Sequence, residues 1–410
     1  MKKQRTLWND GTKTVAASLL SILMGVIFGG ILLVVAAVCL KMPLVSAWEG
    51  FRIVLAGVFN TGRNYDAGSA LTFGFNPRLV GDMLFRSTPL IMTGLSVAMA
   101  YKTGLFNIGA PGQYLMGTAA SIIVALAIDT TAVPAALVWL LAFLAAVAAG
   151  ALWGCIPGLF KAYLNVNEVI TSIMTNWIAA NLVTLAFDGS PYINMVDYGK
   201  TGFTLKTSTN GVATAKLGMD VLFGGSSANA GFLVALLLAV VSYVVISKTT
   251  FGYELRACGS SKSAARYAGM NEKRSIVLSM AIAGGLAAAG AALYYLQGDV
   301  EFSWHTSMSL PATGFNGIPV ALLASCNPIG CVFSGMFMAY LNISGNQLST
   351  FTAYNEYIAD VIIAVIVYLS AFTLFFRSLM DGRRKSTPIH HQPDSAPPPA
   401  EPAREEEKQS

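Results

Sequence analysis

The chain has 410 residues, of which 54% are hydrophobic and only 11% are charged, and its formal net charge is +5. An average soluble domain carries about 25% charged residues, so this composition argues against a soluble globular protein. The chain also contains many apolar runs of about 18 residues or more, each long enough to cross a hydrocarbon core about 30 Å thick. We therefore expect an integral membrane protein, whose orientation follows from the placement of its lysines and arginines.

Ten segments are predicted to cross the membrane, and each must be helical because lipid offers no hydrogen-bonding partner to the backbone. They are residues 14–40, 78–101, 104–128, 132–160, 168–187, 230–247, 274–296, 309–325, 329–345 and 357–377. The third and eighth contain polar and helix-breaking residues, and the eighth and ninth could instead form one re-entrant unit. The predicted fold class is an all-α membrane protein of about ten transmembrane helices, with a transmembrane domain over residues 14–377.

The first span follows a short basic N-terminus. The basic residues are Lys2, Lys3 and Arg5. The apolar run 14–40 is too long for a signal-peptide core of about 7–15 residues, so we predict a retained helix, preceded by cytoplasmic residues 1–13. Residues 46–59 carry large apolar side chains at helical spacing, which indicates a helix that either lies on the membrane surface or packs on the spans. In the second span, Asp82 and Arg86 are predicted to form an intrahelical pair without a transport role.

The third span opens with Gly-Leu-Phe-Asn-Ile-Gly-Ala-Pro-Gly-Gln at residues 104–113. Pro111 removes a backbone hydrogen bond and tends to break a helix. Broken helices at membrane depth are tolerated where they line a polar cavity, so we expect Asn107 and Gln113 to line a substrate pathway. The alternative is a helix that begins at the interface with Asn107 as its N-cap.

The fourth and fifth spans carry different kinds of signal. Three glycines recur every fourth residue in the fourth span: Gly150, Gly154 and Gly158. This stripe predicts a smooth face for close helix packing.

In the fifth span Glu168 follows Asn167, and a carboxylate in the first turn is favoured by the helix dipole. Glu168 could instead be a gate or substrate contact at the inner mouth, with Asn176 eight residues later near the same face.

The segment 248–274, between the sixth and seventh spans, holds six basic residues against two acidic ones. The loop 188–230, between the fifth and sixth spans, holds three acids and three lysines. Lys102 and Lys161 end the second and fourth spans. With ten spans, the positive-inside rule places every basic cluster and both termini in the cytoplasm, whereas an odd number of spans would break this agreement.

The same segment can form a short amphipathic helix that is too polar to enter lipid. Small residues at Ala264, Ala265 and Gly269 would let a partner approach closely. Glu254, Arg256 and Arg266 would supply charged contacts, the arginines through charge-assisted hydrogen bonds. We therefore predict a cytoplasmic coupling helix that docks on a partner, although a basic loop that only obeys the orientation rule would show similar charges.

The eighth span opens with Phe-Asn-Gly-Ile-Pro at residues 315–319, which is similar to Phe106 through Pro111 of the third span. The third and eighth spans run in opposite directions in this topology. Two similar breaks in opposed directions are what an inverted repeat produces. We hypothesise that spans two to five and seven to ten are the repeats, and that Asn316 joins Asn107 along a pathway between them.

The end of the chain carries interface charges and a polar tail. Glu356 and Asp360 are predicted to lie at the interface where the last span begins. Residues 378–410 are rich in proline and glutamate, and such a segment cannot bury enough apolar surface to become ordered. We expect it to be a disordered cytoplasmic tail.

Motifs for catalysis are absent from the sequence. There is no Gly-x4-Gly-Lys-Ser/Thr loop to cradle phosphates, and no group of His, Cys and acidic residues has metal-ligand spacing. We therefore expect a chain that is not an enzyme and that binds no metal and no cofactor. If transport is driven by ATP, another polypeptide must hydrolyse it.

Three motifs resemble those of a known family of transporters. They are residues 104–113, residues 165–176 (Asn-Val-Asn-Glu-Val-Ile-Thr-Ser-Ile-Met-Thr-Asn), and the pair Gly-Tyr-Glu-Leu-Arg-Ala and Ala-Ala-Arg-Tyr-Ala-Gly at 252–257 and 264–269. They are similar, in the same order, to motifs of bacterial ABC permeases of the branched-chain amino acid and simple-sugar superfamily. The resemblance covers residues 75–375 and points to the nucleoside-importer branch.

The resemblance implies a permease subunit in the bacterial plasma membrane, with an ABC ATPase, a second homologous permease and an extracellular solute-binding lipoprotein as partners. Membrane lipid surrounds such a subunit, and nucleic acid is not expected to bind. The same role for simple sugars or branched-chain amino acids is an alternative. An ion-coupled secondary transporter would place acids deep in the membrane, and a membrane enzyme would need a cluster of reactive groups. The sequence has neither feature.

Overall fold

A computed structural model describes residues 10–64, 70–194, 202–305 and 309–370, together with Phe372, Phe375, Phe376 and Ser378. Within these residues the chain is almost entirely helical, as the sequence predicts. Most of the basic N-terminus, and all of the C-terminal tail beyond Ser378, lie outside the described residues.

Fourteen α-helices follow one another in the described part of the chain. They are α1 (Asp10–Cys39), α2 (Leu44–Ala56), α3 (Pro77–Lys102), α4 (Ala110–Ala127), α5 (Ala135–Leu164), α6 (Glu168–Phe187), α7 (Met219–Leu222), α8 (Gly231–Lys248), α9 (Thr250–Ser260), α10 (Lys262–Tyr267), α11 (Glu272–Tyr295), α12 (Ala312–Leu323), α13 (Pro328–Phe351) and α14 (Glu356–Ser370). Between α2 and α3 stands a short antiparallel hairpin of β1 (Asn60–Asn64) and β2 (Ala70–Phe73). The chain is thus a multi-pass membrane protein in which every predicted span contains a helix.

Within the described residues, seven helices are long and apolar enough to cross a membrane: α1, α3, α4, α5, α6, α8 and α11. They coincide with the first seven predicted spans. α13 has 24 residues and extends about 36 Å, but it is more polar. α12 has 12 residues, so it extends about 18 Å and cannot cross a 30 Å core by itself. The prediction of a full helical span over residues 309–325 is therefore wrong, because Pro311 delays the start of the helix.

The residues that the sequence predicts at the cytoplasmic side lie together on one face of the helix bundle. The Lys273 ammonium at the start of α11 lies 4.8 Å from the centroid of the Tyr163 ring near the end of α5. Gly259 of α9 contacts Gly104, just after the end of α3. We call this side, which includes segment 248–274, the basic face.

The opposite face is built by the long connection between α6 and α8. Asn210 donates hydrogen bonds of 2.7 Å to the carbonyl oxygens of Ala125 and Ile128 at the end of α4. The backbone N–H of Ser227 donates to Asp82 Oδ1 near the start of α3, at 2.9 Å. We call this side the loop face.

The centre of the bundle is an antiparallel pair, α3 and α11, the two most deeply buried candidate spans. Phe85 of α3 stacks on Tyr294 of α11 with ring centroids 5.2 Å apart, and near the other end Thr103 hydrogen-bonds with Ser279. α11 packs on α4 and α5, whereas α3 packs on α12 and α13. Each central helix therefore packs on the helices of the other repeat: α3 on those that follow α11, and α11 on those that follow α3. This reciprocal packing fits an inverted repeat of α3–α6 and α11–α14.

The glycine stripe of α5 lies against α11, as predicted. A Cβ added to Gly150 would lie 2.5 Å from the carbonyl oxygen of Gly284, and one added to Gly154 would also collide with the α11 backbone. The stripe therefore lets the two backbones approach closely, which is the packing role expected of small residues between membrane helices.

The predicted helix over 46–59 is α2, and one side of it packs on the spans. Ile53 and Gly50 are buried in a cluster with Leu33 of α1 and Leu348 of α13. The opposite side remains exposed, with Trp48 60% accessible. Of the two alternatives, the structure favours packing on the spans, and the exposed side is apolar enough to face lipid.

Candidate functional site

The third span begins inside the bundle rather than at its surface. After α3 ends at Lys102, the chain turns back along α3, and the Leu105 N–H donates to the Ala100 carbonyl oxygen at 3.0 Å. Asn107 Nδ2 then donates to Ser96 Oγ at 2.9 Å. Ser96 lies six residues before Lys102, which is about 9 Å along a helix axis. α4 therefore starts about two helical turns below the basic face, as the broken-helix alternative requires.

Asn107 and Gln113 stabilise this break through a reciprocal amide pair. Asn107 Nδ2 donates to Gln113 Oε1 at 2.8 Å, and Gln113 Nε2 donates to Asn107 Oδ1 at 3.2 Å. The backbone N–H of Gly109 also donates to Asn107 Oδ1, at 3.1 Å. Both amides are at most 1% exposed. They satisfy each other and the start of α4 rather than facing open space.

Asn176 of α6 completes the same start of α4 from a neighbouring helix. Its Oδ1 accepts a hydrogen bond from the Gly112 N–H at 3.0 Å, and its Nδ2 donates to the Ile108 carbonyl oxygen at 3.0 Å. These backbone groups would otherwise have no intrahelical partner at membrane depth. Asn107, Gln113 and Asn176 are thus brought together as positioning residues for α4. A direct contact of any of them with substrate stays a prediction.

The start of α12 meets the start of α4. A Cβ added to Gly314 would lie 2.7 Å from the Pro111 backbone nitrogen, so the two helices touch at their first turns. Asn316 stands in the second turn of α12, whereas Asn107 precedes α4. The two asparagines are therefore not structurally equivalent, despite the short sequence match around them. The helices α4 and α12 nevertheless occupy corresponding positions in the two repeats.

A polar cavity of about 220 Å³ lies between α3 and the second repeat. It is lined by Arg86, Pro89, Leu90, Tyr294, Thr313, Asn316, Asn342, Asn346, Asp360 and Ile363. Of the five predicted pathway residues, Asn316 is the one that lines it. Three asparagine amides, a tyrosine, a guanidinium and a carboxylate can together donate to and accept from an uncharged polar solute.

Arg86 and Asp360 both line this cavity. Asp82 accepts its hydrogen bond from Ser227 instead, and no ion pair of Arg86 occurs within the described residues, so the predicted Asp82–Arg86 pair is wrong. Both Arg86 and Asp360 are exposed. Exposed charges on membrane helices are costly against lipid and are expected to face a polar path or a partner.

The sequence carries a signal for this cavity at the end of the ninth span. Asn342 and Asn346 are four residues apart on α13, so they fall on one helix face. Two amides on one face of an otherwise apolar span indicate polar surroundings. Arg86 and Asp360 carried no comparable signal, because only the tertiary packing of α14 near α3 brings them to one cavity.

Glu168 lies apart from the cavity. Its carboxylate pairs with the Lys161 ammonium at 2.8 Å, which joins the start of α6 to the end of α5 at the basic face. Asn167 Oδ1 accepts from the Val169 N–H at 2.8 Å and caps the helix. This geometry supports the helix-start interpretation, and a gating role for Glu168 stays a prediction.

The predicted coupling helix is two short helices, α9 and α10, on the basic face. Five of the six residues predicted to meet a partner are exposed there: Glu254, Arg256, Ala264, Arg266 and Gly269. Ala265 is 3% exposed and packs inward, so the prediction that it offers a small surface to a partner is wrong. Arg266 pairs with Glu272 at 3.2 Å. A surface cavity of about 430 Å³ opens beside Glu254 and Gly269.

A glycine contact links α9 to the start of α4. A Cβ added to Gly259 would lie 2.6 Å from the Thr103 carbonyl carbon, and one added to Gly104 would lie 2.8 Å from Gly259 Cα. Gly104 has a φ of +73°, which glycine adopts at little cost. The turn that this contact supports leads directly to Asn107. A displacement of α9 would therefore be transmitted to the broken start of α4.

Comparison with known proteins gives a consistent picture. The family described as the permease component of branched-chain amino acid transport systems matches residues 79–371. The chain is 33% identical over 351 residues to the guanosine ABC transporter permease protein NupP of Bacillus subtilis, covering 84% of this chain and 97% of NupP. It is 33% identical over 318 residues to the nucleoside ABC transporter permease protein NupB of Lactococcus lactis, covering 73% and 85% of the two chains.

A relative with a different printed substrate is nearly as similar. The glucose ABC transporter permease protein TsgB13 of Haloferax volcanii is 32% identical over 307 residues, covering 73% of this chain and 78% of TsgB13. No solved structure matches the chain.

Proposed function

The chain belongs to the family of permease components of branched-chain amino acid transport systems, and from this premise we propose that it is the membrane-spanning permease subunit of an ABC importer for nucleosides. The nucleoside assignment draws on the two relatives that are 33% identical and carry guanosine or nucleoside in their names. The observation that carries the transport proposal is the polar cavity between α3 and the second repeat, because it holds exposed charges within membrane helices.

The lining of the cavity suits a nucleoside. The base edges and ribose hydroxyls of a nucleoside need both donors and acceptors, which asparagine amides provide. The Asp360 carboxylate can accept from ribose hydroxyls, and the Arg86 guanidinium can donate to base carbonyl oxygens. The Tyr294 hydroxyl, if directed at the solute, can both donate to and accept from its polar groups. In this proposal the solute enters from the loop face and crosses the bundle between the repeats.

Energy for the movement comes from a partner. The chain itself is a non-catalytic membrane subunit, and a separate ABC ATPase hydrolyses ATP. We propose that the ATPase docks on α9 and α10 and that its closure shifts α9 against the turn at Gly104. That shift would move the start of α4, which Asn107 and Asn176 hold in place. A second homologous permease completes the path, and an extracellular lipoprotein delivers solute to the loop face.

The proposed location is the bacterial plasma membrane, with the basic face and both termini in the cytoplasm. The charge distribution supports this orientation, because six of the eight charged residues in segment 248–274 are lysine or arginine. The loop face has a balanced set of charges and suits the exterior.

Transport of a simple sugar is the second candidate, because the glucose permease TsgB13 is 32% identical over a similar length. The two candidates separate in proteoliposomes that contain the chain with its partner permease, ATPase and binding lipoprotein. We expect ATP-dependent uptake of labelled guanosine that unlabelled adenosine competes for and unlabelled glucose does not. Preferred uptake of glucose would support the sugar candidate. Uptake without the ATPase, driven by an ion gradient, would contradict the importer proposal itself.

A further inference from the structure

A cleft of about 810 Å³ opens at the basic face, away from the polar cavity. Its walls are α1, the end of α3, the turn between α12 and α13, and the first half of α13. Leu19 and Ile22 of α1 face Phe333 and Phe337 of α13 across it. From Pro328 at the start of α13 to Phe337 is about 14 Å along the helix axis. The apolar walls thus extend through about half of a 30 Å hydrocarbon core, which is the depth of one leaflet.

The mouth of the cleft is polar and carries one charge. Lys102, at the last turn of α3, is exposed and has no ion pair within the described residues, and the lining contains no acidic residue. Ser325 Oγ is buried at the mouth and has no hydrogen-bond partner among the described residues. A buried hydroxyl without a partner costs free energy, so an acceptor at this point would be stabilising.

An occupant of this cleft must therefore combine an anionic, hydrogen-bond-accepting head with an apolar tail. The basic N-terminus of the chain cannot supply the anion, because it carries Lys2, Lys3 and Arg5. A second protein chain would have to insert an apolar element through a cleft that is open to the bilayer. An anionic phospholipid satisfies both ends at once, with its phosphate at Lys102 and Ser325 and an acyl chain along Phe333 and Phe337.

We propose that the cleft is a binding site for an anionic phospholipid of the leaflet at the basic face. The bound lipid joins α1 to the turn between α12 and α13, where Ser18 Oγ already donates to the Leu323 carbonyl oxygen at 3.2 Å. It thereby steadies the half-helix α12, which carries Asn316 into the polar cavity. This inference rests on the membrane placement in the proposed function but not on the identity of the transported solute.

The test compares lipids retained by the purified full-length chain. Native mass spectrometry would measure binding of phosphatidylglycerol and phosphatidylcholine to the wild-type chain and to the Lys102→Ala and Lys248→Ala variants. Lys248 is a matched control, because it is also an exposed lysine at the end of a span on the basic face but does not line the cleft. One lysine beside an anionic lipid surface is expected to change binding about fivefold.

The expected result is preferential retention of phosphatidylglycerol, about fivefold weaker binding in Lys102→Ala, and unchanged binding in Lys248→Ala. Lys102→Arg should keep the lipid, and Ile22→Trp should lower the retention of it by filling the cleft, so the proposal remains testable if Lys102→Ala folds poorly. Equal retention of the two lipids, or equal effects of the two alanine variants, would overturn it. Cross-linking of a second chain or of residues 1–9 within the cleft would overturn it too. Guanosine and the ATPase are absent from this assay, so failure of the transport proposal would leave its outcome unchanged.

Discussion

Asn107 has no exposed surface and takes part in four side-chain hydrogen bonds, with Ser96, Gly109 and twice with Gln113. Pro111 indicates from the sequence that the third span is interrupted, but it does not indicate that the amides close on one another. At the scale of single residues, the structure therefore distinguishes polar residues that hold the start of α4 from polar residues that line the cavity. Substitutions of Asn107 and Asn316 test this distinction.

Asn107→Ala is expected to destabilise the chain, whereas Asn316→Ala is not. Loss of the Asn107 amide leaves the Gln113 amide and the Ser96 hydroxyl buried without partners, at a cost of about 1–3 kcal/mol for each unsatisfied group. Asn316 is half-buried beside the cavity, so its removal should lower transport while the melting temperature stays unchanged. Thermal melting in detergent followed by size-exclusion chromatography measures the stability, and uptake in proteoliposomes measures the transport. An equal loss of stability in the two variants would contradict the distinction.

The charges of the polar cavity give a second test at this scale. Arg86→Gln and Asp360→Asn are expected to lower nucleoside transport about tenfold, since a hydrogen bond to a charged group contributes about 1.5–3 kcal/mol. Initial uptake rates in proteoliposomes measure the effect. Asp220→Asn is the control, because Asp220 pairs with Lys216 at 3.6 Å on the loop face and does not line the cavity. Full activity in both cavity variants would remove Arg86 and Asp360 from the pathway.

At the scale of elements, the contact between α9 and the turn before α4 is the proposed route from ATP to the pathway. Gly259→Ala is expected to uncouple transport from ATP hydrolysis, because its Cβ would collide with the backbone of Thr103 and push the two elements apart. ATP hydrolysis should continue while guanosine uptake falls at least about tenfold, which corresponds to a distortion of about 1.4 kcal/mol in the coupled step. The ratio of solute moved to ATP hydrolysed measures this.

Gly74→Ala provides the matched control for that variant. A Cβ at Gly74 would lie 3.6 Å from Thr61 Cγ2, which is an ordinary contact, and the residue stands far from α9 beside the short hairpin. It should leave the coupling ratio unchanged. A normal ratio in Gly259→Ala would show that the movement of α9 does not pass through this contact.

The docking surface itself is also testable. The ring of Tyr267, at the end of α10, is 93% exposed on the basic face, and an exposed ring beside small residues is typical of a surface that a partner covers. Tyr267→Ser is expected to reduce co-purification of the ATPase subunit several-fold. Tyr357→Ser, which changes a 72% exposed ring on α14, should have no such effect. Equal recovery of the ATPase with both variants would place the docking surface elsewhere.

At the scale of the whole molecule, the helical spans could be predicted from the sequence because apolar length is a local property. Six of the seven long apolar helices of the described residues begin and end within four residues of the predicted bounds, whereas α4 begins six residues after its predicted start. The length of α12 could not be predicted from apolar content, because residues 309–325 are apolar throughout most of their length but the helix has only 12 residues and starts after Pro311. The inverted repeat was suggested by a short match, and the packing of α3 and α11 supports it even though Asn107 and Asn316 are not equivalent.

The candidate site was less predictable than the fold. Asn107, Gln113 and Asn176 stand out because polar residues are conspicuous in apolar spans, but the sequence does not tell whether an amide points at a neighbour or at a cavity. Arg86 and Asp360 are far apart in the sequence, and only the packing of the second repeat against α3 makes them neighbours of one polar space. Long-range packing therefore decided the part of the site that local patterns missed.

The central claim is that solute passes through the polar cavity between α3 and the second repeat, and thiol modification of the assembled importer tests it most directly. In a background with Cys39 and Cys155 replaced by serine, Asn346→Cys places a thiol in the cavity, and Leu185→Cys places one on the exposed side of α6. A bulky, charged thiol reagent should abolish ATP-dependent guanosine uptake in the Asn346→Cys importer and leave the Leu185→Cys importer active. Full uptake after complete modification of the thiol introduced by Asn346→Cys would contradict the claim.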